Sequence, residues 1–272
     1  MSFLDFLSYG FVQRALISGV LVALITAVLG VFLVLKRLSL IGDSLSHVAL
    51  SGVAVGLLLN ITPIFCAIPI VMLSSLGVYK ISKNKKIYTD SALGIISSAG
   101  IALGLIIVAL AGGFNTDLMG FLFGNILTVS ISETILSFVI FVITLFCLYF
   151  SYNSLIAAVF DENFAKTAGV NVENINILLT LLSAVMVVLA VKTVGIMLVS
   201  ALIIIPPTSA LQIAKKFRRV LIYACAFSVF ATVSGIYLSF VFDMPPSAII
   251  IILNLIILLI CSLTKIWKSK KN

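Results

Sequence analysis

Nine apolar runs, each near the length of a membrane crossing, are separated by charged residues, Pro or Asn. They cover residues 11–35, 44–60, 63–81, 91–112, 134–151, 174–191, 195–213, 220–241 and 247–264. A helix of roughly 20 apolar residues spans a hydrocarbon core of about 30 Å. Runs this long and this many exceed what a soluble fold can hide. Of the 272 residues, 62% are hydrophobic and 10% charged, against about 25% charged in an ordinary soluble domain. Mean hydropathy is +1.32. The expected fold is an all-α, polytopic transmembrane helical bundle forming one domain over residues 1–272. The second run is short, so a tilted or partial span there would leave eight crossings instead of nine.

The net charge of +8 could suggest nucleic acid, but its placement points to a membrane. If the segment ending at Leu35 exits into the cytoplasm, the alternate loops are cytoplasmic. They hold Lys36 and Arg37; Lys80, Lys83, Lys85 and Lys86; Lys166; Lys215, Lys216, Arg218 and Arg219; and Lys265, Lys268, Lys270 and Lys271. Only Arg14 and Lys192, of 17 basic residues, fall on the other side. That asymmetry satisfies the positive-inside rule in every loop. It puts the C-terminus in the cytoplasm and, with nine spans, the N-terminus outside. Cys66, Cys147, Cys225 and Cys261 are scattered without a CxxC pair and read as small apolar residues. The opening "MSFLDFLSYG" has no basic leader and carries Asp5, unlike a cleavable signal peptide.

Two stretches do not fit simple spans. "NTDLMGFLFGNILTVSISE" (115–133) is apolar but too short to cross and return, so a re-entrant or external half-helix is expected. Ser130 and Glu133 have capping-box spacing for the next helix. "FDENFAKTAGVNVEN" (160–174) is the longest polar loop. Within it "DENFAKTAG" reads as a short helix, with acidic residues in its first turn and Gly169 closing it.

The chain's only histidine stands in "IGDSLSHVAL" (41–50). Asp43 precedes His47 by four residues, so on a helix both side chains share one face. An ionisable group at the centre of a span costs about 2.5–3.5 kcal/mol on insertion scales and less near an interface. In the plain reading Asp43 caps a helix and His47 bonds a carbonyl. In the functional reading the two are half of a site for a borderline divalent cation. Zinc prefers four ligands, and a two-fold dimer would complete an N2O2 set.

"LKRLSLIGDSLSHVALSGVAVG", "DLMGFLFGNIL", "FDENFAKTAGV" and "AVKTVGIMLVSALIIIPPTSA", in this order, resemble the membrane permease subunit of bacterial ATP-binding-cassette importers for zinc, manganese or iron. The resemblance covers nearly the whole chain. It implies a permease homodimer, two cytoplasmic ATPase subunits and an external metal-binding lipoprotein, with Asp43 and His47 lining the path of the ion. It implies that "DENFAKTAG" is the coupling helix seated in a groove of the ATPase. Its core would be Asp161, Glu162, Ala165 and Gly169, the small residues allowing close approach. Pro207 departs from the small residue expected in relatives. "LSYGFVQRALISG", "NITPIFCAIPI" and "NTDLMGFLFGNIL" look closer to zinc-type members, so zinc is the expected cargo, with manganese or iron as the alternative.

Pro206 and Pro207 in "LIIIPPTSA" lie inside an apolar span, where each lacks an N–H and clashes with the preceding turn. They imply a kink or break. It either serves packing alone or leaves freed carbonyls and the Thr208 hydroxyl facing the conduit. Asp117 and the "FDMPPS" turn with Asp243 are candidate contacts for the external protein, though Asp117 reads equally as a helix cap. No resident cofactor is expected, since the metal ion is cargo. One histidine and no HExxH leave little for an intramembrane enzyme. Without GxxxxGK[ST] the chain lacks a site to hydrolyse ATP itself. A proton-coupled secondary transporter would use Asp43 as a relay, but the paired halves usual in such folds are not found.

The charge map yields a direct test. Single cysteines beside Lys85 and Lys216, in a cysteine-free background, should react with impermeant reagent only from the cytoplasmic side. Labelling of either from outside would break the map.

Overall fold

The structure is a computed structural model, described for residues 8–83, 88–111, 113, 120–122, 124, 126–196 and 199–271. The described residues form helices and connecting turns, with no strand among them. The helices are α1 (Gly10–Leu35), α2 (Ile41–Leu58), α3 (Pro63–Ser82), α4 (Thr89–Leu110), α5 (Ile131–Phe160), α6 (Glu162–Thr167), α7 (Val172–Val194), α8 (Val199–Ile213), α9 (Phe217–Phe242) and α10 (Pro246–Lys271). Eight are long and apolar enough to cross a membrane. Expectation and structure differ on which run is short. The second is a helix of 18 residues, whereas α8 has 15. Gly195 ends α7 at φ 90°, ψ 156°, a conformation essentially closed to residues with a Cβ.

The two groups of basic residues sit at opposite ends of the bundle. At one end Lys36 ends α1, Lys83 ends α3 and Lys166 lies on α6. With Tyr79, Glu162 and Asn176 they line one cavity of about 630 Å³. Lys265 of α10 donates to Gln212, near the end of α8, at 2.8 Å. At the other end Arg14 Nε donates to the Val129 carbonyl at 3.1 Å. There Lys192 Nζ lies 3.3 Å from Glu133 and 4.8 Å from the Phe121 ring centroid. Lys85, Lys86 and Asp117 lie outside the described residues, as do 115–119, 123 and 125 of the expected half-helix. Its described remainder includes a 3-10 turn at Ile126–Thr128, with Phe121, Ile126 and Val129 buried. The capping box is present: Ser130 N donates to Glu133 Oε2 at 2.9 Å, and Glu133 N to Ser130 Oγ at 3.3 Å.

Burial divides the bundle into layers. α1, α2 and α7 bury most of their length, while α3, α4, α5 and α10 bury less than a third of theirs. Between helices in lipid, close van der Waals packing replaces the hydrophobic drive, and small residues permit it. A Cβ on Gly100 of α4 would stand 2.8 Å from Val48 Cα of α2. On Gly30 of α1 it would strike the Ile203 carbonyl oxygen of α8 and approach Pro207 Cγ at 2.9 Å. Pro207 leaves that same carbonyl without its helical N–H partner, so the prolines and Gly30 serve one helix contact. α8 runs unbroken through Pro206 and Pro207, and both are buried.

Gly30→Val should force α1 from α8 and lower stability by about 1–3 kcal/mol. Gly94→Ala, where a Cβ meets nothing within 4 Å, should be neutral or mildly stabilising. Thermal unfolding in detergent compares the two, and equal melting temperatures would refute the close contact.

Candidate functional site

α2 is enclosed by its own chain on every side but one. Val48 faces Gly100 of α4, Gly52 faces Ala67 of α3, and Gly42 faces Ser200 and Ile203 of α8. Ser44 Oγ donates to the Leu93 carbonyl at 2.7 Å, fixing α2 to α4. The open stripe is short: Leu40, Asp43 and His47 recur on one helical face, and beyond them Leu50, Ser51 and Ala54 are buried. The Asp43 side chain is 48% exposed and that of His47 27%. Asp43 Oδ1 and His47 Nε2 stand 3.9 Å apart, too far for a direct hydrogen bond and close enough to share an ion. Helix capping does not account for the aspartate. The N-cap is Leu40, without a side-chain cap bond, and Asp43 lies inside the first turn. There the helix dipole favours its charge. Among the described residues no cluster of three His, Cys, Asp or Glu forms. One copy of the chain therefore offers two donors.

A second group of polar side chains gathers at the Lys36 end. Lys36 is the C-cap of α1, with its side chain only 8% exposed. Its Nζ donates to Glu162 Oε1 at 3.0 Å and also to Asn176 Oδ1. Burial pushes the Glu162 carboxyl up. The hydrogen bond and charge of Lys36, helped by Asn176 and Lys166, outweigh that and hold it below its ordinary range. Beside them Lys83 Nζ donates to Glu173 Oε1 at 2.8 Å, and this partner raises the Lys83 ammonium above its usual value.

The expected short helix is α6, and each end closes as its residues dictate. Asp161 Oδ1 accepts from Asn163 N at 2.9 Å and Phe164 N at 3.0 Å. At the other end Val170 N reaches the Ala165 carbonyl and Gly169 N that of Lys166. This is a Schellman closure with Gly169 in the left-handed position, at φ 81°. One detail differs from the expectation that small residues clear space for an ATPase. Ala165 is fully buried against Ala158 and Val172 of its own chain. Around Gly169 a Cβ would meet nothing of its own chain within 4 Å, and the positive φ by itself calls for glycine. The outward face instead presents Phe164, with Phe160 beside it, both 63% exposed.

Thr208 is half-buried on α8, and its hydroxyl donates to the Ile204 carbonyl at 2.7 Å. Asp243 caps α9 in the left-handed region, at φ 51°, on the exposed turn into α10. Sequence reasoning missed Phe164 and the Lys36–Glu162–Asn176 group. A phenylalanine inside a polar loop was a legible signal. The partners of Lys36 lie 126 and 140 residues away, beyond the reach of any local pattern.

Gly169→Asn should preserve α6 better than Gly169→Ala, since Asn tolerates the left-handed region at lower cost. Limited proteolysis across 160–174 measures this. A loop more protected in the Ala variant than in the Asn variant would show that size, not φ, decides.

Residues 8–265 match the ABC 3 transport family. The chain is 33% identical over 264 residues to "Manganese transport system membrane protein MntC" of Listeria innocua, covering 97% of this chain and 94% of that one. It is 31% identical over 229 residues to "High-affinity zinc uptake system membrane protein ZnuB" of Haemophilus influenzae, covering 84% and 88%. One chain of the structure of PsaBC from Streptococcus pneumoniae in complex with Fab matches at TM-score 0.88 and 30% identity, over 99% of each chain. A manganese-named relative is thus as near as a zinc-named one, and overall similarity does not favour the expected zinc. Family match, relatives and fold agree over nearly the full length: the chain belongs to the ABC 3 transport family.

Proposed function

We propose that the chain is the membrane permease of an ATP-driven importer of a divalent first-row metal ion in the bacterial cytoplasmic membrane. Two copies meet across the open stripe of α2. Two Asp43 carboxylates and two His47 imidazoles then form an N2O2 transit site. The observation that carries this is the Asp43–His47 pair itself. Both side chains are partly open on a helix that buries most of its length, and capping does not explain the aspartate. Such a site holds an ion firmly enough to replace its water and loosely enough to release it. An external metal-binding lipoprotein delivers the ion at the Arg14 and Lys192 end, where the Asp243 turn is exposed. Cytoplasmic ATPase subunits dock on α6 with Phe164 as the anchor, and hydrolysis belongs to them. Pro206, Pro207 and Thr208 shape α8 beside the path.

Zinc is the finer reading, because an imidazole–carboxylate set binds zinc more tightly than manganese. Manganese is the second reading, favoured by the 33% identity to a manganese-named relative over 97% of the chain.

His47→Ala removes two of four donors from the dimer and should reduce metal uptake to background while assembly with the ATPase persists. Asp43→Asn keeps the shape but removes the charge, and should lower uptake nearly as far. Radiometal uptake with zinc and manganese in parallel measures both variants and identifies the cargo. Native uptake by Asp43→Asn would eliminate the proposed site.

A further inference from the structure

Lys36 is a nearly buried cation whose two acceptors come from different elements: Glu162 opens α6, and Asn176 lies in α7. A bilayer-edge lysine serving only topology has no need of either, since water would solvate its ammonium. The backbone from Lys36 into α2 is also closely hydrogen-bonded. The Lys36 N–H donates to Phe32 at 3.0 Å, Arg37 N to Val34 at 3.1 Å, Leu38 N to Leu33 at 2.8 Å, and Ile41 N to Leu38 at 3.1 Å. This is again a Schellman closure, but its left-handed position is held by Arg37, at φ 59°. A non-glycine residue there is disfavoured and persists only where its surroundings over-determine it. The turn 36–40 therefore forms a stiff elbow between Lys36 and the start of α2. Asp43 sits in the first turn beyond it.

We infer that Lys36 is a positioning residue for transport, a strut through which movement of α6 resets α2 and its Asp43–His47 pair. The inference rests on the reading of that pair as the transit site and of α6 as the ATPase contact. Glu162 is the load point, and the Lys36 ammonium joins it to α7. The hydrogen-bonded elbow passes any shift of Lys36 to Leu40 and onward to Asp43. Removing the ammonium breaks the link without touching the metal donors or the outward face of α6.

The experiment uses the full permease reconstituted with its ATPase subunits. A fluorophore on Leu40→Cys, an exposed position at the start of α2, reports movement there without reference to any metal. ATP binding should shift its signal in the otherwise native protein. Lys36→Met should abolish the shift, with assembly and ATP hydrolysis retained. Lys36→Arg, whose guanidinium can still donate to Glu162 and Asn176, should retain it. Zinc or manganese ions moved per ATP should fall about tenfold in Lys36→Met and stay near native in Lys36→Arg with hydrolysis unchanged in both, a split that a merely structural role would not produce. If Lys36→Met fails to assemble, Asn176→Leu, which leaves the Lys36–Glu162 pair in place, decides by a partial loss of the shift. An absent shift in the native permease, a full shift in Lys36→Met, or a lost shift in Lys36→Arg each overturns the strut. Failure of the metal-site reading appears separately, as native uptake in His47→Ala with the probe response intact.

Discussion

Hydrocarbon supplies no hydrogen-bond partners, so each polar group inside the bilayer must find one within the protein. Several buried hydroxyls turn back onto their own helices, Thr26 to Val22, Ser183 to Leu179 and Ser209 to Ile205, while Ser44 reaches across to Leu93. Charges are driven to the two ends. There they pair, as Lys192 does with Glu133 and Lys36 with Glu162. Against that rule an aspartate and a histidine on an open stripe, without a direct bond between them, stand out. Ionisable groups within membrane spans are expensive to hold.

The same constraint gives α7 its place. It runs through the interior for 23 residues, or about 34 Å at 1.5 Å per residue. Glu173 and Asn176 hold one end through Lys83 and Lys36. Lys192 holds the other through Glu133, stacked over Phe121. A buried rod fixed at both faces joins the α6 end of the bundle to the Arg14 and Lys192 end. The two ends thus share a common mechanical element.

Span positions and the distribution of charge were legible because lipid imposes one length and one polarity rule on every crossing. Asp43 and His47 were legible because helical spacing alone puts them together. The Ser130–Glu133 box and the closure of the short helix at Gly169 were legible for the same local reason. What escaped was tertiary. The end of α7 rests on the backbone of Gly195, which a string of apolar letters does not reveal. Ala165 is small to fit its own neighbours, a fact that rests on Ala158 and Val172 approaching from other helices. Capping by Asp43 was a fair local reading until the helix began two residues earlier, at Ile41.

Ile203 of α8 is wedged between two glycines. Its carbonyl rests on Gly30 of α1, and its Cδ1 would lie 2.5 Å from a Cβ on Gly42 of α2. Three helices therefore meet at a point where one residue fills the space that two glycines leave. At Gly30 a methyl group would meet the fixed carbonyl, whereas at Gly42 it would meet only the movable end of the Ile203 side chain. A smaller residue there would relieve Gly42 but not Gly30, because a carbonyl cannot be trimmed by substitution. Sequence drift at this junction is thus unequal: position 42 can change in concert with 203, whereas position 30 is locked for as long as α1 and α8 keep their contact.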